Sequence, residues 1–250
     1  MSASVQRRVA ELRGRLQASQ PQARHRQVVP TGLPSFDRLL PDGGVPTAAV
    51  VEWMQSSTGV AASTLAFRCA APLLQHAGTL AVVDSENDFY PPSLSSLGIA
   101  SRRVLVVRPS PDPQNGGLPE AAQQRANVLW TIEQLARCEG VRVLVAWIDR
   151  VSATAQRRLQ LAVERSGVTV FLIRPARAAQ QTSWADLRFF VQPSMARTSN
   201  RQAVLTVRLL RSKNSVRQFG QTELVCRYET GVVSEVSQLA GPANSAKPDS

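Results

Sequence analysis

Lysine is almost missing from this chain. Of its 29 lysine and arginine residues only Lys213 and Lys247 are lysine, both late in the sequence, so no lysine is available to hold phosphate in the first two hundred residues. Histidine is equally scarce: His25 and the isolated His76 cannot build a histidine metal cluster. The three cysteines, Cys69, Cys138 and Cys226, stand far apart without C-x-x-C spacing, which argues against a zinc site and against a disulfide framework. They read as small core residues. No run of eighteen apolar residues exists, and residues 1–20 contain no apolar signal core, so the expectation is a soluble cytoplasmic protein with no membrane partner.

What remains is ample for one domain. At 250 residues with 43% hydrophobic and 19% charged residues, the chain can bury one α/β core with short extensions. Residues 234–250 are rich in Ser, Ala, Pro and Gly and are expected to be disordered. The net charge of +11 favours a polyanionic partner, DNA included. An arginine bias with abundant alanine is also what a GC-rich genome produces, so charge alone leaves nucleic-acid contact open.

Four apolar residues near the start, Val5, Val9, Leu12 and Leu16, are spaced four, three and four apart and share one face of a short helix within residues 1–20. That face either packs on its own domain or docks on a neighbour. Residues 21–30 read as a basic linker. From Thr31 apolar strands alternate with helices, at residues 48–53, 79–83, 104–107, 141–147 and 168–173 for the strands and 63–76, 121–138 and 154–165 for the helices. Three closely spaced strands follow, at residues 187–191, 204–210 and 223–228. Alternation demands crossovers and a parallel sheet covered on both faces, and the later strands add an antiparallel set. The fold class is α/β with a mixed, mainly parallel central sheet, its core over residues 31–233.

In such a sheet, phosphate ligands sit where a glycine-rich loop joins the carboxyl end of a strand to a helix. That loop here contains Ser56, Ser57, Thr58 and Gly59 and runs on to Ser63 and Thr64. One glycine and several hydroxyls are present, but in every register the lysine position holds alanine, valine or serine. Arg68, more than a turn into the helix, is a poor geometric substitute. Basic residues that could meet phosphates elsewhere are Arg174, Arg177, Arg211, Lys213 and Arg217, with a solvated basic face as the alternative.

Thr31-Gly32-Leu33 with Phe36-Asp37, Gly43-Gly44-Val45-Pro46, Val51-Glu52, and Ala81 to Glu86 followed by Tyr90-Pro91 resemble the RecA family. The similarity runs with gaps from about Thr31 to Val225 and implies a RecA-like P-loop-type fold in which Glu86 matches the catalytic glutamate. Three departures qualify it. The P-loop lysine is absent, residues 141–147 end in Ala146-Trp147 where a Walker B aspartate belongs, and Asp149 comes too late to replace it. The connections matching the two DNA-binding loops, at residues 148–153 and 175–183, are short. Glu86 without metal or phosphate ligands has little to polarise, and an Asp84/Glu86 pair satisfying backbone donors is the simpler reading.

Arg157 to Ala162, Phe171 to Arg177, Leu187-Arg188 and Leu105 to Pro109 are similar to ImuA, the RecA-like accessory family of bacterial mutagenic translesion synthesis. That resemblance implies a non-catalytic protein of SOS mutagenesis and the DNA-damage response, without cofactor or metal. Its implied protein partners are an ImuB-like Y-family polymerase homologue, an error-prone replicative-type polymerase and RecA. A divergent nucleotide-dependent DNA-binding ATPase and a SulA-like cell-division inhibitor are the alternatives.

Overall fold

The computed structural model describes residues 26–57, 61–75, 78–109, 119–194, 202–213, 220–227 and 230–236. The expected N-terminal helix with Val5, Val9, Leu12 and Leu16 lies outside these residues, as do Thr58, Gly59 and Arg217.

The described residues begin with strand β1 (Val28–Val29), helix α1 (Pro34–Leu39) and strand β2 (Val45–Pro46), in which β1 and β2 pair antiparallel. Residues 26–29 therefore belong to the folded body rather than to a linker. Gly44 permits this pairing: a Cβ there would lie 2.6 Å from the Val29 carbonyl oxygen. The Thr31-Gly32-Leu33 and Phe36-Asp37 motifs also act locally. Asp37 accepts from the Thr31 backbone N–H (2.9 Å) and hydroxyl (2.8 Å), while Phe36 is fully buried and stacks 5.9 Å from Trp53.

Strand β3 (Val50–Gln55) begins two residues later than its apolar run, because Ala48 has a positive φ of 52° that ends extended backbone there. Helix α2 (Ala62–Leu73) stops short of residue 76. Pro72, inside its last turn, removes a backbone donor. Strands β4 (Thr79–Val83) and β5 (Val104–Val107), helix α3 (Glu120–Leu135) and strand β6 (Val141–Trp147) follow. Helix α4 (Ala153–Ser166) starts at Ser152, whose hydroxyl accepts from the Ala155 N–H, and ends at Gly167 with φ 84°. The last strands are β7 (Thr169–Pro175), β8 (Leu187–Pro193), β9 (Gln202–Ser212), β10 (Gln221–Arg227) and β11 (Val233–Glu235).

Among the described residues, nine of these strands form one sheet in the order β11-β10-β9-β8-β3-β7-β6-β4-β5. The six from β8 to β5 run parallel, and β8 to β11 pair antiparallel. The sheet is mixed and mainly parallel, as the alternation predicts. Strand β11 runs past the expected start of the tail at residue 234, and Glu235 accepts from the Ser35 N–H at the start of α1, which holds its carboxyl below the usual range.

Side chains of successive strand residues point to opposite faces. On one face Val51, Trp53, Phe171, Ile173 and Phe189 meet α1 and α2; on the other Val50, Leu144, Val170 and Leu172 meet Val128 and Ile132 of α3 and Leu159 and Val163 of α4. Buried Cys69 and Cys226 fill small core positions, their thiols pushed up chiefly by burial, whereas Cys138 is exposed. Among the described residues no helix is long and apolar enough to cross a membrane.

Candidate functional site

A cleft of about 430 Å³ opens beyond the carboxyl ends of β3, β4 and β6, where a parallel sheet presents its ligand site. Ser63 and Thr64 of α2 line it, together with Phe67, Phe89, Trp147 and Arg227. Ser56 and Ser57 are exposed just past β3, and the Ser56 N–H donates to the Val191 carbonyl (3.0 Å).

The centre of the cleft is aromatic. Trp147, at the end of β6, lies with its ring centroid 6.2 Å from that of Phe67 and 6.2 Å from that of Phe89. Its indole N–H donates to the Ser63 hydroxyl at 3.2 Å. A magnesium site needs oxygen ligands at about 2.0–2.1 Å. An indole nitrogen is a donor only and cannot ligate a cation, and its N–H points at a hydroxyl lone pair such an ion would need. Arg227, reaching in from β10, is the cation among the described lining residues. Sequence reasoning did not find Arg227 or Phe89, which enter from elements distant from the loop, nor Phe67, which lies one helical turn past Ser63 but looks like an ordinary core residue of α2.

Glu86 is exposed, on a turn whose next residue, Asn87, has φ 58°. Its contact is the neighbouring Ser85 hydroxyl at 3.4 Å. Asp84 is the buried carboxylate: it accepts from the Asp88 N–H (3.2 Å) and from Arg108 Nε (3.1 Å). The backbone-satisfying role expected for the pair falls on Asp84 alone. Arg68 turns away from the phosphate-loop position and donates to the Thr31 carbonyl at 2.7 Å.

The expected basic contacts do not form one surface. Arg174 departs from that expectation: its side chain is 0% exposed, so it cannot meet phosphate. Its Nη1 lies 2.7 Å from Glu52 Oε1, and its Nη2 donates to the Asp149 carbonyl (3.1 Å) and to Gln181 Oε1 (2.7 Å). Glu52 is itself buried and also accepts from Arg188 Nε at 2.7 Å, while Arg188 Nη2 donates to the Ala178 carbonyl at 2.6 Å. This ion triad pins the segments after β6 and β7, the two short connections noted above. Asp149 is held in the same place by a two-pronged pair with exposed Arg177, whose guanidinium keeps the Asp149 carboxyl below the usual range. Arg211 and Lys213 stand at the other end of the sheet, beside the start of β8. Arg211 donates to the Ser183 carbonyl, and the Lys213 ammonium lies 3.8 Å from Glu164 and 3.9 Å from Asp186.

No family model matches the chain. Over 145 residues it is 30% identical to Protein ImuA of Caulobacter vibrioides, an alignment covering 56% of this chain and 54% of that protein. Over 130 residues it is 31% identical to Protein RecA of Thermus thermophilus, covering 52% of this chain and 34% of that protein. The chain thus spans about half the length of the curated ImuA relatives it matches. In fold it is similar to the RadB recombinase, with a TM-score of 0.60 at 15% identity over 84% of this chain and 100% of that one. Sequence and fold agree in making this a RecA-like chain similar to ImuA.

Proposed function

We propose that this chain is a non-catalytic RecA-like accessory protein of translesion DNA synthesis, acting through protein contacts in a mutagenic polymerase complex. The observation that carries the reading is the Trp147 indole N–H on the Ser63 hydroxyl, walled by Phe67 and Phe89. In the cleft where a nucleotide would lie, Ser63 is engaged by an indole donor and three aromatic rings crowd the end of β6, with Asp88 and Arg227 as the charged side chains lining it. Transition-state charge at a transferring phosphoryl group is normally met by a lysine and a magnesium ion, and loss of one such stabiliser costs several kcal/mol. Among the described residues no lysine lines the cleft, and its carboxylate, Asp88, follows β4 instead of ending β6.

The polymerase setting rests on the similarity to ImuA, and the proposed partners are an ImuB-like Y-family polymerase homologue, an error-prone replicative-type polymerase and RecA. The second half of the reading is structural: the segments after β6 and β7 are tied down by Glu52, Arg174, Arg188 and the Asp149–Arg177 pair, which leaves little freedom for mobile DNA-binding loops.

Titration calorimetry of the full chain with ATP and Mg²⁺ tests the central claim. No binding in the micromolar range is expected. Micromolar binding with Mg²⁺ dependence would overturn it in favour of a divergent nucleotide-dependent DNA-binding protein.

A further inference from the structure

The outer face of α3 and α4, on the sheet side away from the cleft, carries a groove that the loss of nucleotide chemistry does not explain. It encloses about 360 Å³ between the end of α3 and the last turns of α4. Arg158, Leu161 and Arg165 lie three and four residues apart on α4 and share one helix face, and Arg137 closes the groove from the α3 side. Leu161 is exposed, and Trp130, two turns ahead of Arg137, is 64% exposed on the outer face of α3. A large aromatic ring left in water about 10 Å along the same helix from a guanidinium cluster is the composition of an interface rather than of an idle surface.

The arginines are also held in position. Glu133 of α3, its side chain 10% exposed, accepts from Arg158 at 2.8 and 3.2 Å and lies 3.9 Å from Arg137. One inward carboxylate thus anchors Arg158 by two hydrogen bonds and attracts Arg137 at ion-pair distance, so less conformational freedom of these two groove-lining side chains is lost when a ligand binds.

We propose that this groove docks an acidic segment of a partner protein, with its carboxylates on Arg137, Arg158 and Arg165 and a bulky apolar side chain against Leu161 and Trp130. Charge complementarity selects carboxylates. Nucleic acid suits the groove less well, because a phosphate backbone needs an unbroken cationic track and Glu139 interrupts this one, whereas a peptide can space its carboxylates to meet the arginines and place an uncharged residue opposite Glu139. The apolar pair has no use in a phosphate contact. This inference stands apart from the nucleotide reading, and its failure would leave that reading intact.

The probe is a fluorescein-labelled peptide, Glu-Glu-Leu-Leu-Glu-Glu repeated twice, followed by anisotropy against the full chain. Saturable, salt-sensitive binding is expected, with none to the same peptide carrying lysine for glutamate. Arg165→Glu and Trp130→Ser, both surface changes, are each expected to weaken binding about tenfold or more, with thermal melts near wild type. Arg38→Glu, on α1 across the sheet, leaves binding unchanged. Equal binding of both peptides, or indifference to both groove variants, overturns the proposal. So does a single-stranded oligothymidylate that binds more tightly than the peptide and is lost in Arg165→Glu, which would make the groove a nucleic-acid site.

Discussion

Two places along strand β3 treat charge in opposite ways. In the cleft past its carboxyl end, where a RecA-like sheet would gather a lysine, a metal carboxylate and a hydroxyl, Trp147 sits against Phe67 and Phe89 and caps Ser63. On the face of β3 turned towards α4, charge is kept and buried: Glu52, Arg174 and Arg188 have side-chain exposures of 1, 0 and 7%. The two arginines reach the backbone carbonyls of Asp149 and Ala178, so this charge fixes the shape of two connections instead of receiving a ligand. Charges offered to a ligand need open valences, whereas charges that hold a fold must be satisfied internally. The triad has its hydrogen bonds filled, with Arg174 Nε left over.

The sharpest way to break this contrast is Glu52→Gln. It preserves shape but leaves two buried guanidiniums without a counter-charge, and removal of one partner from a buried ion group costs about 3–5 kcal/mol. Urea unfolding followed by circular dichroism should show that loss. Arg174→Met is the sharpening control. It leaves Glu52 and Arg188 as a neutral pair and removes the unpaired Nε, so its cost should be clearly smaller than that of Glu52→Gln. A larger cost for Arg174→Met would show that the carbonyl contacts of Arg174, not the charge balance, hold this region.

In the cleft the expected effects are smaller. Trp147→Ala removes an aromatic side chain that is only partly buried, for a loss of about 2–3 kcal/mol in the same assay. Ser63→Ala removes one hydrogen bond to the indole, which still has access to water in the cleft, and should cost about 0.5–1 kcal/mol. Trp147→Asp restores a carboxylate at the end of β6 but not the lysine, so calorimetry should still detect no micromolar ATP binding. A gain of such binding from this one change would mean that the aromatic plug alone had closed a working site.

Much of this was legible in the sequence because it was local. The alternating apolar runs give the strand and helix order, since periods of 2.0 and 3.6 are written in consecutive residues. The absent lysine and the Ala146-Trp147 end of β6 are visible by position alone. Arg174 was misplaced for the opposite reason. An arginine closing an apolar strand looks like a surface cation, and its partner Glu52 is 122 residues away, so nothing near it signals burial. Residues 26–29 look like linker in the sequence because their contacts are equally remote: Arg26 pairs with Asp186, 160 residues on, at 2.7 Å. Pairings over such separations are set by sheet topology, which periodicity does not encode.

The smallest expected effect concerns the Asp149–Arg177 pair, which repeats the triad's task at the surface. The hydrogen bond from Arg177 is the main cause that lowers the Asp149 carboxyl, with burial opposing it and the charges of Arg177, Arg150 and Arg174 adding to it. A carboxyl lower in the folded than in the unfolded state contributes stability that is complete above its unfolded value, near pH 4, and is lost as pH falls through the folded value. Arg177 is 63% exposed and Asp149 36%, so solvent and salt screen the pair and the contribution is slight beside that of the triad. Asp149→Asn should therefore be marginally less stable than the natural chain at pH 7. The two should converge as the pH is lowered below about 4, and added salt at pH 7 should also narrow the gap. A gap that persisted at low pH would show that the carboxylate charge is irrelevant, leaving the connections after β6 and β7 held by the buried triad alone.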